Sequence, residues 1–585
     1  MRKRCFWVVD LRMKAFHSII VLALGGVLIS GCETGVRKSG ASTAQRPDDQ
    51  DPSRVAEETG EKPAPVHLAP GNPEAFARFA TGVTLEENDQ EGQAITQYDD
   101  AALADPSNEK LVIFVAERYL KNKETAKALS LLTKSAHRPD ASATLLSWLA
   151  RAQLASGHSD QALATSKLAI QRRPASLDGY ECQVAVYLHN SKFPEALKTL
   201  DRAARDVHPD PLTLATLADL YLVYLKDQPK DAAAKSHAVA VLDREATQKF
   251  TAPEIWQRLA DAYAGFEQPA KAAEIYKRLL TQYPDGSTVL DALHEKLAGI
   301  YLQAEDRTNA MKQLEAIVRD NPTSYPRAWY FLGELAYEGG KPAEAIDDFE
   351  HALRWDPSIE QAYYDLALAE LDVHQSKEAF EALDRAHVQF PKSFAGEFYT
   401  GIVYAHIKNY PDAIHHFKEA EIIGLATQPS LLDQRFYFQF GAACERDKQF
   451  KQAEEYLQKC IDRAPDFAEA LNYLGFMLAD NGEQLPRARA MIEKAIKLEP
   501  QNGAYLDSMG WVLYKLNLPK EALPWMIKAE QFTPEPDPTV EDHLGDVYLG
   551  VGQKEKAVAA WKKSITLEPN DAIKHKIDQF SGAST

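Results

Sequence analysis

The sequence predicts an all-α chain, a right-handed superhelical solenoid of about 14 helical hairpins, and three regularities point to it. Small residues recur at intervals that are mostly 34 or 35, as at Gly82, Ala116, Ala150, then Gly333, Ala367, Gly401, and finally Gly475, Gly510, Gly545. An alanine follows each small residue, in most units twelve positions later, as Ala345 follows Gly333 and Ala413 follows Gly401. A proline closes many units, among them Pro106, Pro357, Pro465 and Pro569. Periodicity of this length is the signature of stacked repeats, in which one hairpin cannot bury its apolar face alone.

The composition is that of a folded, water-facing chain: 45% hydrophobic and 26% charged residues over 585 positions. The balance of 66 Lys+Arg against 85 Asp+Glu gives a net charge of −19, which disfavours a nucleic-acid backbone as partner, because that role needs a cationic face.

The first segment reads as an export signal. Arg12 and Lys14 precede an apolar run from Ile19 to Ile29, too short to span a bilayer, and small residues follow. Ile29-Ser30-Gly31-Cys32 resembles a bacterial lipobox. That resemblance implies cleavage before Cys32, lipidation of its thiol and a mature chain anchored by two or three acyl chains, since one chain binds membranes only marginally. Glu33, in place of an Asp, favours sorting to the outer membrane over the inner one. The expected organisation is a signal peptide at 1–31 and a lipidated tether at 32–72, polar and Pro-rich enough to stay disordered. Repeats then fill 73–245, 246–425 and 426–585, the last block ending in a short capping helix at about 572–580.

Within each unit two amphipathic helices are expected, with bulky groups at three- and four-residue spacing around the small slots. Proline stops the second helix, because it lacks the N–H and biases the preceding residue away from helical geometry. Trp329/Leu332/Gly333, then Ala345/Phe349/Ala352 and the closing Pro357, resemble the tetratricopeptide repeat (TPR), and the resemblance covers about 75–570. Local departures are an insertion at Lys226 to Ala233, extra residues near Asp285 to Val289 and a longer link from Gly424 to Leu432.

No catalytic constellation emerges, and neither a cofactor nor a metal is expected. Gly339-Gly340-Lys341 lacks the strand and remaining glycines of a phosphate loop and reads as an interhelix turn. His415 and His416 are adjacent on a helix, about 100° apart, and cannot chelate one ion together. Cys444 and Cys460 sit with an axial offset on the order of 10 Å, too large for a disulfide.

The TPR resemblance implies a concave groove lined by the first helix of each unit. Three positions before the small slot it brings Tyr330, Tyr364, Phe398 and Phe438; one position after, Glu334, Phe476 and Trp511; four after, Tyr337 and Tyr514. Acids (Asp261, Asp507, Asp542, Asp546) interrupt this wall, and the Lys and Asn clamp of chaperone-binding TPR proteins is absent. Aromatics and acids fit an apolar or aromatic partner strip carrying a few basic groups. The competing expectation is that these rings pack within the superhelix.

The last 110 or so residues, with LNYLGFMLAD and YLDSMGWVLYKLNLPKEAL among them, resemble the C-terminal repeats of proteobacterial outer-membrane TPR lipoproteins. One type in that group is an adaptor for a periplasmic C-terminal processing protease. The function expected is thus a non-enzymatic, lipid-anchored scaffold of the bacterial envelope facing the periplasm. Its partner would be a protein or peptide, a periplasmic protease or an envelope-machine component. The alternative is an accessory part of a secretion or exopolysaccharide export system.

Overall fold

The computed structural model describes residues 72–207, 210–243, 252–284 and 287–581. Cys32, the export signal and the tether up to residue 71 lie outside the described residues. Among the described residues there are 29 α-helices and no strand. No helix among them is long and apolar enough to cross a membrane.

The chain clusters into two units that divide between Ile300 and Tyr301. In the first unit, consecutive helices from Pro73–Glu87 to Pro269–Leu280 follow one another as hairpins. In the second, hairpins run from Pro326–Glu338 with Pro342–Trp355 to Pro538–Gly550 with Lys554–Leu567, and the helix Asp571–Ser581 closes the end as a cap.

Each hairpin is held by the small slots. A Cβ placed on Gly333 would stand 2.6 Å from the ring of Phe349, sixteen residues on, and one on Gly401 would stand 2.7 Å from Phe417. Hydrogen at the slot lets the second helix press an aromatic ring onto the backbone of the first, and these rings are fully buried. The turn is equally regular. In most hairpins a turn residue takes the left-handed conformation, as Lys123, His374, Lys408, Lys448 and Gly340 (φ 75°) do. At Gly340 the two turn bonds run from Lys341 N–H to the Ala336 carbonyl (2.9 Å) and from Gly340 N–H to the Tyr337 carbonyl (3.0 Å). Gly339-Gly340-Lys341 is thus an interhelix turn.

Two departures from the period are absorbed as helix rather than as surface loops. The insertion after Lys226 lengthens the helix Pro211–Asp227 to 17 residues. The link near Gly424 extends Tyr410–Thr427 to 18, followed by a 3₁₀ turn at Pro429–Leu431. Residues 285 and 286, within the third departure, lie outside the described residues. Cys182, Cys444 and Cys460 are buried free thiols, and burial pushes those of Cys444 and Cys460 up to about 12.

Candidate partner-binding groove

The first helices of successive hairpins are joined by a ladder. The residue three before one small slot touches the residue two before the next. Phe79 meets Phe114 with ring centroids 5.7 Å apart, and the Cys182 thiol lies 3.2 Å from the Ser147 carbonyl. In the second unit the rungs are Tyr330 with Asp365, Tyr364 with Tyr399, Phe438 with Tyr473 and Asp507 with His543.

This ladder decides where the expected groove residues go. Tyr364 is 1% exposed; its ring stacks on Tyr399 at 4.9 Å and 6°, and its hydroxyl donates to Glu360 at 2.8 Å. Phe438 is buried between Phe467 and Tyr473. Phe398 is half-buried against Phe394, Phe417 and Phe436. In this structure these three rings pack at the interfaces between repeats. Tyr337 is half-buried, with its hydroxyl 2.9 Å from Asp372 of the next repeat.

Phe476, Trp511 and Tyr514 are brought together. Trp511 lies between Tyr514 (5.4 Å, 19°) and His543 (3.9 Å, 15°), and Phe476 lies 6.0 Å from the same imidazole. Trp511 is itself largely buried, and its indole N–H points to Asp480 at 3.3 Å. The half-buried Phe476 lines a cavity of about 480 Å³ bounded by the helices Gln434–Arg446, Ala468–Asp480, Gly503–Lys515 and Pro538–Gly550. Asn472, Met477, Phe532 and Val540 share its wall, and Asp507 and Arg446 supply charge. A smaller cavity of about 70 Å³ adjoins it through Phe476 and Thr539 and reaches Trp511, Asp542 and Asp546.

Asn472 gives the larger cavity its chemistry. It is 8% exposed, and its Oδ1 has no hydrogen-bond partner. A buried amide oxygen without a donor costs about 1–3 kcal/mol, which an N–H entering the cavity would offset. The cavity therefore offers an apolar wall, one unsatisfied acceptor and charges of both signs, a combination suited to an extended peptide.

Tyr330 and Glu334 form a second grouping, with Asp365. The Tyr330 hydroxyl lies 2.8 Å from Glu334 Oε1 and 3.0 Å from Asp365 Oδ2, while Gln361 donates to Asp365 Oδ1 at 3.0 Å. Glu334 is 8% and Asp365 6% exposed. Burial, and next the neighbouring Asp365 charge, push the Glu334 carboxyl well above its usual range. Burial pushes Asp365 to about 7 against hydrogen bonds from Gln361 and Tyr330.

His543 and Asp365, each two before its small slot, were not among the residues singled out from sequence. Both stand in a column that could have been read, since it faces the preceding repeat. His416 Nδ1–H donates to Glu397 at 2.7 Å, with His387 on the other side of that carboxylate at 3.5 Å. Among the described residues no group of three or more His, Cys, Asp or Glu is placed to hold a metal ion.

Tetratricopeptide-repeat family models match residues 143–166, 253–295, 296–358, 364–426, 434–467 and 542–571. A TPR repeat-containing protein of Pseudomonas aeruginosa, PA4667, is 31% identical over 223 residues, 37% of this chain and 36% of that protein. The human protein O-mannosyl-transferase TMTC3 is 25% identical over 231 residues, 39% of this chain and 24% of that one. The chain thus spans little more than a third, at most, of the length of the curated relatives it matches. Among solved structures, Pseudomonas aeruginosa pilF is 18% identical, covering 36% of this chain and 93% of its own with a TM-score of 0.32. The APC/C hetero-tetramer Cut9-Hcn1 is 14% identical, covering 87% and 96%, with a TM-score of 0.38. The matched segments of this chain are tetratricopeptide repeats, which generally mediate protein–protein interaction.

Proposed function

We propose that this TPR chain is a non-enzymatic scaffold of the bacterial cell envelope, anchored by lipid on Cys32, that holds a protein or peptide partner in the groove of its second unit. The observation that carries the reading is the cavity beside Phe476, where an apolar wall surrounds the unpartnered Asn472 oxygen. An extended segment would place an apolar side chain against Phe476, Met477 and Val540 and give a main-chain N–H to Asn472. The Ile29-Ser30-Gly31-Cys32 sequence and the polar tether after it support anchoring at the outer membrane, with the repeats in the periplasm.

The test has two parts. Cys32→Ser should move the protein from the membrane to the soluble fraction; continued sedimentation with washed membranes overturns the anchor. Asn472→Ala with Phe476→Ala should abolish recovery of the partner from solubilised envelopes while the helical circular-dichroism signal is kept. Undiminished recovery overturns the groove.

A further inference from the structure

The partly buried carboxylates that stand one position after a small slot follow a rule in this chain, from which the exposed Glu117 stands apart. Asp219, after Ala218, pairs with Arg258 of the next repeat. Asp261, after Ala260, pairs with Lys296 at 2.6 Å. Arg258 and Lys296 both stand two before their own small slots. At the end of the chain Asp546, after Gly545, receives Lys576 of the capping helix at 2.6 and 2.8 Å, and the same ammonium reaches Asp542 at 2.8 Å. In each case a carboxylate on a first helix is neutralised by a cation from the element stacked on it.

Glu334 stands at this position after Gly333, and the rule fails there. The residue two before the next slot is Asp365, a second carboxylate in the position from which Arg258 serves Asp219 and Lys296 serves Asp261. Tyr330 has a single hydroxyl hydrogen to share between the two acids, and Gln361 serves only Asp365. Glu334 Oε2, more than nine-tenths buried, has no partner. A buried carboxylate oxygen left without a donor or counter-charge is unfavourable, and at Asp219, Asp261 and Asp546 a cation meets the carboxylate.

We infer that Glu334 and Asp365 form a subsite for a guanidinium or ammonium group of the partner polypeptide, supplied from outside where the fold supplies none. Lys576 shows the geometry on the chain itself: one cationic side chain laid between two acids three before and one after a small slot, over the ring of Trp561 at 5.5 Å. At the Glu334 subsite the half-buried ring of Tyr330 occupies the position three before, and the second acid comes from the following helix. The inference rests on the groove reading above and adds to it the chemistry of one partner residue.

Calorimetric titration of the full chain with a blocked tetra-arginine peptide tests it, with tetra-citrulline, the uncharged isostere, as comparison. Tetra-arginine should bind saturably and tetra-citrulline should not. Affinity should fall about tenfold or more in Glu334→Gln and in Asp365→Asn, and stay unchanged in Glu344→Gln, an exposed acid of the following helix. Asp365→Lys, which places a cation where Arg258 and Lys296 stand in their own repeats, should keep the fold and abolish the binding. Equal affinity in all the variants, as diffuse attraction to a chain of net charge −19 would give, or no saturable binding overturns the subsite. If either result appears while the Phe476 and Asn472 substitutions still release the partner, the subsite falls and the groove stands.

Discussion

The imidazole of His543 lies with Nδ1 3.0 Å from both carboxylate oxygens of Asp507, joining the helices Gly503–Lys515 and Pro538–Gly550 beneath the ring of Trp511. Burial opposes charging this ring, and the attraction and hydrogen bond of Asp507 outweigh it, so the His543 pKa is raised. A raised folded-state value contributes stability that is complete below the unfolded value near 6.5 and is lost as pH rises through the folded one. Asp507→Asn should therefore weaken these two helices by about 1–3 kcal/mol at pH 6 and by less in alkaline solution. Hydrogen exchange resolved by segment is the measurement, because a long repeat array need not unfold in one step. Equal loss at both pH values would contradict the pairing.

Glu397 supplies an opposite dependence on a neighbouring surface. Hydrogen bonds from His387 and His416 hold its carboxyl down to about 2, against burial. The His387 pKa is raised, chiefly by its hydrogen bond to Glu397. The carboxylate's contribution is present above its unfolded value near 4.5 and disappears as pH falls toward 2; that of His387 fades above its raised folded value. Protection of the helices Ser376–Gln389 and Phe394–His406 should peak between these limits, and Glu397→Gln should flatten the profile.

Tyr364→Ala and Phe438→Ala should each cost about 3–5 kcal/mol of local stability, as truncation of buried aromatic rings does. Phe476→Ala, at a cavity wall, should cost less and act on binding. Denaturant melts of the three variants separate the classes, and equal midpoints would contradict the burial assigned to Tyr364 and Phe438.

The slot glycines give a coupling test. Gly333→Ala puts a methyl 2.6 Å from the Phe349 ring and should cost about 1–3 kcal/mol. Phe349→Leu, itself destabilising, should remove much of that extra cost in the double variant, and additive effects would contradict the close approach.

The spacing of Gly333, Ala345, Phe349 and Pro357 carried the fold, because a close helix approach tolerates only small residues at the slot and the requirement repeats every 34 or so positions. The ends of the helices were harder to read. The departures at Lys226 to Ala233 and Gly424 to Leu432 leave open where helix ends, and the structure carries the helices on to Asp227 and Thr427 before a turn at 228–231 and a 3₁₀ turn at Pro429–Leu431. One position after the slot, Phe476 lines the cavity while Glu334 is buried beside Tyr330 and Asp365. The groove was obscured three positions before the slot, where Tyr364 and Phe438 are consumed by the residue two before the next slot. A one-residue step turns a side chain by about 100°, so phase inferred from spacing alone could not separate groove from rung. Asn472 and Asp365 act through an unsatisfied oxygen and a missing cation, neither of which has a sequence pattern until the neighbouring repeats are set beside it.

The claim that a partner lies in the groove of the second unit is tested most directly by site-specific photocrosslinking in intact envelopes. A benzophenone amino acid would replace Phe476 in one variant and Val388, which is 84% exposed on a second helix, in another. A discrete adduct from position 476 and none from 388 is the expected result. An adduct from 388 with none from 476 would place the partner on the outer face and contradict the account.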